Sequence, residues 1–235
     1  MSQDPSLFTE IVKKIQSHER LSVEDGLRLF LSSDILTIGR MAHGVRERLH
    51  GRRAFYAVNL HLNPTNICSV RCDFCAFSRD AGDEDAYALT LDDIEQKVKE
   101  AAACYQINEV HMVGGHNPQL GLDYYLEMLK RIKKTAPGIF IKAFSAPEID
   151  SMARQAGISW EEVLRSLKQA GLDSMPGGGA EIFDPEVRSK ICPKKISGEA
   201  WIEIHRMAHG IGLQTNATML YGHIENDEHR VAHLI

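Results

Sequence analysis

The sequence predicts an α/β fold in which strands and helices alternate around a parallel, barrel-like sheet. From about residue 55 onward, short apolar segments alternate with longer segments in which apolar residues recur at helical spacing. Such alternation implies parallel strands joined by right-handed crossovers. The glycine-rich and polar motifs follow the predicted strands, which is where barrel enzymes collect their functional residues. A chain of 235 residues is long enough for one such domain.

The first 50 residues predict a helical segment that precedes the sheet. Residues 5–17 carry apolar side chains at helical spacing, and Ser22 with Asp25 is a capping signal for a second helix over about 23–32. A third helix is predicted from Ser33 or Asp34 to about His50. We expect this segment, 1–50, to pack on a barrel core formed by 51–235.

The core predicts five strand–helix units. The predicted strands are 55–62, Glu109–Gly115, Ile139–Ser145, Gly171–Met175 and Leu213–Tyr221. The predicted helices run from Thr90 or Asp92 to near Cys104, then over Asp123–Thr135, Ser159–Ala170, Pro185–Ile191 and Gly198–Gly210. Asn226 begins one more helix, within which the sequence ends.

Composition excludes several classes of partner. Hydrophobic residues make up 43% and charged residues 25%, as in ordinary globular proteins. A net charge of −5 argues against a nucleic-acid partner, which would require a basic face. No apolar run is long enough for a membrane span, and the N-terminus lacks the features of a signal peptide. Five cysteines, three of them clustered, favour a reducing, cytoplasmic location over a disulfide framework.

Three cysteines directly follow the first predicted strand. Cys68, Cys72 and Cys75 have the spacing C-x3-C-x2-C, and thiolates prefer iron–sulfur clusters, zinc and copper(I). A [4Fe–4S] cluster normally takes four cysteines, so three would leave one iron free to bind another molecule. A structural zinc site is the alternative, but such sites usually close with four ligands and C-x2-4-C pairs. The spacing therefore favours a cluster with one open iron.

With Phe74 at the aromatic position, this cysteine motif resembles the signature of the radical S-adenosylmethionine enzymes. Four further strings are similar to the menaquinone and deazaflavin branch of that family, and particularly to aminofutalosine synthases: 63–68, 114–118, 175–182 and 216–225. The resemblance implies that the three cysteines hold a [4Fe–4S] cluster and that S-adenosylmethionine chelates its fourth iron. It also implies a barrel of at least six units. We therefore expect an incomplete barrel, truncated at the C-terminus.

Candidate site residues fall into two groups. The resemblance places residues near S-adenosylmethionine after the first four strands: Phe74, Gly114, Gly115, Ser145, Glu148 and Glu181. Polar residues that alternate with apolar ones on the strands are candidates for substrate contact and catalysis: His61, Asn63, Lys142, Asn216 and Thr218. A barrel interior filled only for packing would prefer branched aliphatic residues. An internal hydrogen-bonded polar network is the alternative interpretation.

The resemblance further implies a reaction. An adenosyl radical would add to the double bond of a carboxylated aromatic enol ether, a carboxyvinyloxy-benzoate, with rearrangement and loss of carbon dioxide, to give aminofutalosine. A reductant such as flavodoxin or ferredoxin would supply the electron. Two alternatives in the same class are a dehypoxanthine futalosine cyclase and a deazaflavin synthase component. A non-catalytic iron–sulfur electron carrier is the alternative from another class.

Two other sets of residues receive a structural interpretation. The i,i+4 pairs His205/His209 and His229/His233 lack the glutamate of a zinc-protease motif, so we interpret them as solvated helix faces. Cys104 and Cys192 are interpreted as lone structural thiols.

Overall fold

The computed structural model describes residues 8–235, which form ten helices and five strands. The helices are α1 Thr9–Gln16, α2 Val23–Leu31, α3 Ile35–His50, α4 Leu91–Cys104, α5 Leu122–Thr135, α6 Ala146–Ala156, α7 Trp160–Ala170, α8 Pro185–Ile191, α9 Gly198–Gly210 and α10 Asp227–Leu234. The strands are β1 Asn59–Leu62, β2 Glu109–Met112, β3 Phe140–Ala143, β4 Ser174–Met175 and β5 Gln214–Thr215. The first residues of the helix predicted over 5–17 lie outside the described residues.

The five strands form one parallel sheet in the order β1-β2-β3-β4-β5. Because each crossover advances to the next strand in the same direction, right-handed connections place the helices on one face of the sheet. That arrangement is the wall of a barrel, and the predicted α/β partial barrel is confirmed. All five strand C-termini therefore lie at the same edge.

The helix-facing side of the sheet builds the main hydrophobic core. Val110, Met112, Ile141 and Ala143 are completely or almost completely buried there. They pack with apolar residues that α4, α5, α7 and α9 contribute at helical spacing. The opposite side of the sheet, called here the open face, carries the other half of each strand.

The chain divides into two compact units. One unit comprises Ala57–Leu220 and contains the sheet with α4 to α9. The other comprises the described residues up to Tyr56 together with Tyr221–Ile235, and contains α1, α2, α3 and α10. Within this second unit, Asp25 accepts from Ser22 at the start of α2 and pairs with Lys14 at 2.6 Å.

The structure differs from the predicted elements in two respects. All five strands are shorter than predicted: 55–62 reduces to Asn59–Leu62, Glu109–Gly115 to Glu109–Met112, Ile139–Ser145 to Phe140–Ala143, Gly171–Met175 to Ser174–Met175, and Leu213–Tyr221 to Gln214–Thr215. The helix α6 was not predicted at all. It begins directly after β3, where Ser145 and Glu148 form a capping box. The other helices match closely, and α8 and α9 have the predicted bounds.

None of the helices that the structure describes combines the length and the apolar character needed to cross a bilayer.

Candidate cofactor and substrate site

The cysteine loop after β1 is held by backbone hydrogen bonds to three other segments. The N–H of Cys68 donates to Arg79 O at 3.0 Å, and the N–H of Ser69 donates to His116 O at 3.1 Å. The N–H of Asp73 donates to Ile191 O at the end of α8. The loop therefore has a defined position at the C-terminal edge of the sheet.

The three thiols share a small apolar cluster beside the sheet edge. Cys72 is buried with Val70, Ile182 and Cys192, and Cys68 and Cys75 pack partly buried against the same cluster. Burial raises the pKa of the Cys72 thiol to about 11, although the nearby Lys195 ammonium opposes that shift. Cys192 is thus not a lone thiol but a neighbour of the predicted cluster ligands.

Gly115 fixes the distance between the cysteine loop and β2. Its N–H donates to Thr65 O at 2.9 Å, and a Cβ at this position would lie only 2.1 Å from Ile67 O. Any side chain would therefore push the loop away from the sheet. Gly114 donates its N–H to the Glu148 carboxylate at 3.1 Å. The predicted contact of this pair with S-adenosylmethionine stays a prediction.

Ser145 and Glu148 link β3, α6 and the Gly114 turn. Glu148 is buried and accepts from the backbone N–H and hydroxyl of Ser145, at 2.8 and 2.6 Å, as well as from Gly114. Burial raises the pKa of Glu148, while these hydrogen bonds oppose the shift. Both residues lie at the site edge, and their proposed contact with S-adenosylmethionine is untested.

An ion pair between Glu181 and Lys195 lies beside the cysteine loop. Each side chain is only 13% exposed, and the Lys195 ammonium lies 5.3 Å from the centre of the Phe74 ring. Lys195 also influences the pKa of Cys72, His116 and Glu148. A cation at this position is therefore central to the site, and the sequence did not single it out.

The buried Arg188 of α8 positions both members of that pair. Its guanidinium donates to Ala180 O at 2.6 Å and to Ile182 O at 3.2 Å, on either side of Glu181. It also donates to Ile196 O, next to Lys195. One side chain thus ties the turn after β4 to the loop after α8.

Three of the five non-glycine residues with positive φ in the described part of the chain lie at this edge. Arg71, Phe144 and Glu181 have φ values of 51°, 63° and 48°, which side-chain-bearing residues seldom adopt. They lie inside the cysteine loop, directly after β3 and in the turn after β4, respectively. Strain of this kind persists where surrounding structure fixes a functional geometry.

His116 is a partly buried imidazole at this edge. Burial lowers its pKa to about 4, so the ring is neutral at pH 7. Its Nδ1 is buried and has no hydrogen-bond partner among the described residues. The ring can therefore accept or donate one further hydrogen bond within the site.

The open face of the sheet carries a polar row below this edge. His61, His111 and Lys142 are direct neighbours in the register of β1, β2 and β3. The rings of His61 and His111 stack at 5.5 Å, and Lys142 pairs with Glu109 at 3.1 Å. Lys142 thus lies on the same face as His61, as its predicted role requires.

Asn63, Asn216 and Thr218 lie beyond the strand ends. Asn63 Oδ1 is buried without a hydrogen-bond partner among the described residues. Asn216 follows β5, and the Thr218 hydroxyl donates to Gly177 O at 2.5 Å. A Cβ at Gly177 would lie 2.7 Å from Asn216 O, so the turns after β4 and β5 pack backbone to backbone. Their predicted roles in catalysis are untested.

A cavity of about 770 Å³ follows the outer edge of β1. His61 and Asn63 line it, together with Tyr87, Lys97 and Cys104. Because His61 also belongs to the polar row, this cavity adjoins the row at β1 and is a second space that a ligand could enter.

The predicted histidine pairs are not all solvated. His205 is 5% exposed and stacks on Trp201, with ring centres 3.6 Å apart, which contradicts the prediction of a solvated face. His209 is exposed, as predicted, and Cys104 is exposed on the last turn of α4.

The residues present fit an iron–sulfur cluster. Within residues 8–235, no three His, Cys, Asp or Glu side chains converge as the ligands of a single metal ion would. A [4Fe–4S] cluster does not require such convergence, because each thiolate binds a different iron. Three thiols on one fixed loop, beside a cation and an unpartnered imidazole nitrogen, match its requirements better than those of zinc.

Comparison with known proteins identifies the family whose signature the cysteine motif resembles. The model of the radical SAM superfamily matches residues 62–234. An aminodeoxyfutalosine synthase of Thermus thermophilus is 46% identical over 99% of this chain and 62% of its own length. The Streptomyces coelicolor aminodeoxyfutalosine synthase is 44% identical over 99% and 60%, respectively. This chain thus spans about three fifths of these relatives.

Other relatives carry a different activity in their names. A 5-amino-6-(D-ribitylamino)uracil–L-tyrosine 4-hydroxyphenyl transferase of Methanopyrus kandleri is 43% identical over 86% of this chain and 54% of its own. Among solved structures, methylornithine synthase superimposes with a TM-score of 0.73 at 19% identity, over 95% of this chain and 63% of that one. The hydrogenase maturase HydG reaches 0.75 at 17% identity, over 99% and 50%. The structural likenesses support the fold alone.

Proposed function

Because the chain belongs to the radical SAM superfamily, we propose that Cys68, Cys72 and Cys75 hold a [4Fe–4S] cluster that binds S-adenosylmethionine. The observation that carries this proposal is the convergence of the three-cysteine loop with the buried Glu181–Lys195 pair. When bound and reduced, the cluster supplies the electron that cleaves S-adenosylmethionine. The chain's own residues bind and orient the reactants and exclude water.

Lys195 and Glu181 suit the amino-acid end of S-adenosylmethionine. That end carries a carboxylate and an amino group, which are complementary to an ammonium and a carboxylate held side by side. Arg188 holds the two segments from which they project, so the site is organised before a ligand binds. Phe74, which lies against Lys195, is exposed enough to cover a bound molecule.

We further propose that the reaction is the synthesis of aminofutalosine. The C–S bond of S-adenosylmethionine would break with release of methionine, and the adenosyl carbon would bond to the double bond of 3-[(1-carboxyvinyl)oxy]benzoate. Rearrangement and release of carbon dioxide would follow, with one electron returned to the cluster. The two aminodeoxyfutalosine synthases at 46% and 44% identity support this assignment. A small electron-transfer protein, such as a flavodoxin or ferredoxin, is the proposed reductant.

A tyrosine-dependent hydroxyphenyl transferase is the second candidate, since relatives of that name reach 43% identity. The two reactions differ in the fate of the adenosyl group. Aminofutalosine retains it, whereas chemistry that begins by hydrogen abstraction releases deoxyadenosine.

The deciding experiment is an anaerobic assay of the cluster-loaded protein with dithionite, S-adenosylmethionine and the carboxyvinyloxy-benzoate. Mass spectrometry should detect aminofutalosine with little deoxyadenosine. Deoxyadenosine formed only with tyrosine and the ribitylaminouracil would instead assign the transferase.

Electron paramagnetic resonance of the same sample addresses the carrier alternative. A cluster with three cysteine ligands should change its signal when S-adenosylmethionine is added, because the open iron gains ligands. An unchanged signal would indicate a fourth protein ligand, for which the neighbouring Cys192 is the candidate, and would favour an electron carrier.

A further inference from the structure

The open face of the sheet carries five polar side chains in one row. In register from β1 to β5, these residues are His61, His111, Lys142, Ser174 and Gln214. On the helix-facing side, the neighbouring row contains Leu62, Met112 and Ala143, which belong to the hydrophobic core. Packing alone does not explain an uninterrupted polar row, because barrel interiors are otherwise filled by branched aliphatic residues.

Lys142 is the cation of this row, and a carboxylate holds it in place. Glu109 is 9% exposed and lies 3.1 Å from the Lys142 ammonium and 3.7 Å from His111 Nδ1. The Lys142 side chain remains 22% exposed. An ammonium has three donors, of which this pair uses one, so Lys142 can bind a further acceptor on the open face.

The depth of the row defines which part of a ligand it can reach. Lys142 lies two residues before Phe144, where β3 passes into the strained turn at the site edge. Two strand residues span about 7 Å. Lys142 therefore lies below the strand edge at Phe144 by roughly the length of a substituted benzene ring.

We propose that Lys142, oriented by Glu109, binds the ring carboxylate of an aromatic substrate whose reacting double bond lies at the cysteine edge. The stacked imidazoles of His61 and His111 form the wall beside the ring. This inference rests on the proposed function, since it assigns the substrate end of the same site. Lys142 is a specificity residue, and Glu109 is a positioning residue.

The test removes the cation without leaving a buried carboxylate unpaired. The double variant Lys142→Met/Glu109→Gln keeps the net charge of the pair and approximates the shape of both side chains. Its affinity and that of the wild type are measured for 3-[(1-carboxyvinyl)oxy]benzoate and for the analogue with a ring carboxamide. Both cluster-loaded proteins contain S-adenosylmethionine, and binding is followed by anaerobic calorimetry.

Replacement of the ring carboxylate by the carboxamide should weaken binding to the wild type at least tenfold. The double variant should bind both compounds with similar affinity, because the partner of the carboxylate is gone. Lys97→Met is the matched control, since Lys97 lines the cavity along the outer edge of β1 and is not a member of the polar row. This control should keep the full preference for the carboxylate.

Two outcomes would overturn the inference. An equal preference for the carboxylate in wild type and double variant would mean that Lys142 does not contact it. Loss of the preference in the Lys97 variant alone would assign the substrate to the outer cavity. By contrast, a wild type that binds S-adenosylmethionine but neither benzoate would contradict the proposed reaction, which separates that failure from failure of the inference.

Discussion

At the scale of single residues, Lys195 interacts with several of the groups that form the candidate site. Its ammonium contacts Glu181, approaches the Phe74 ring and influences the thiol of Cys72. A cation so placed attracts a carboxylate ligand more strongly than one in water, because little solvent screens it. The structure thus identifies a binding residue that has no motif of its own.

We expect Lys195→Met/Glu181→Gln to weaken S-adenosylmethionine binding by about 10- to 100-fold, since a hydrogen bond to a charged group contributes about 1.5–3 kcal/mol. The double substitution leaves neither member of the pair buried without its partner. Equilibrium dialysis with the anaerobic, cluster-loaded protein measures the affinity. Iron content should be unchanged, because neither residue is a thiol ligand.

Lys194→Met is the control for that measurement, since Lys194 is exposed beside Lys195 in the same loop. Its affinity should equal that of the wild type. If the double variant also bound S-adenosylmethionine normally, the Glu181–Lys195 pair would be a structural tie and the ligand would lie elsewhere.

The sequence predicted the cysteines but not their neighbours, for a physical reason. Cys68, Cys72 and Cys75 lie within eight residues, so their spacing in the sequence is sufficient to predict that they bind one cluster. Lys195 reaches the same place from a loop more than a hundred residues later, and nothing in its local sequence indicates that approach. Contacts of this kind depend on tertiary packing, which a linear pattern does not record.

At the scale of elements, capping chemistry predicted most helices and could have predicted the one that was missed. Ser145 and Glu148 have the spacing of a capping box directly after β3. Considered only as candidate ligands, these two residues do not predict α6. The signal was present, and a structural and a functional interpretation of these two residues are compatible.

For the strands, the sequence predicts longer elements than the structure contains. Polar and apolar residues alternate over much of 213–221, but β5 ends at Thr215, and the last backbone bond to β4 runs from the Asn216 N–H to Met175 O. Beyond that point the chain packs against the turn after β4, where Thr218 donates to Gly177 O. Alternation predicts which residues share a face, whereas the length of a strand depends on the neighbouring strand with which it pairs.

The element with the largest predicted effect on local stability is α8, through Arg188. We expect Arg188→Lys to lower the free energy of unfolding by roughly 2–4 kcal/mol, because one ammonium cannot satisfy the several carbonyls that the guanidinium reaches. Urea unfolding followed by circular dichroism measures the change. The exposed Arg165→Lys, whose partner is Glu161 on the same helix, should change it little.

A second readout links that packing to the site. The same Arg188→Lys protein should bind S-adenosylmethionine more weakly, since the segments that carry Glu181 and Lys195 lose their common tie. Normal stability together with normal binding would show that the guanidinium is dispensable.

At the scale of the whole molecule, the sequential strand order brings distant segments to one edge. The segments that follow β1, β2, β3 and β4 contribute the thiols, Gly115, Glu148 and Glu181, respectively. To predict this arrangement, it is sufficient to assume that consecutive strands are parallel neighbours in the sheet and are joined by helices. This is why fold class could be predicted from alternation alone, although the residues that join the loops could not.

The stability of the whole molecule should fall in mild acid because a buried and a partly buried imidazole are both uncharged in the folded chain at neutral pH. Burial lowers the pKa of His205 and of His116 from 6.5 to about 4. The unfolded chain takes up these protons near pH 6.5, whereas the folded chain does so only near pH 4. The stabilisation is therefore complete above pH 6.5 and is lost as the pH falls from 6.5 to 4.

Each such histidine should contribute a slope of up to about 1.4 kcal/mol per pH unit within that range. Urea midpoints of the protein at pH 7.0, 6.0 and 5.0 measure it, and His205→Leu should show the smaller slope. The exposed His209→Gln should follow the wild type. A parallel loss of stability in His205→Leu and the wild type would contradict this prediction. It would mean that the imidazole stacked on Trp201 takes up its proton at the same pH in the folded and unfolded chains, and that the acid sensitivity comes from other groups.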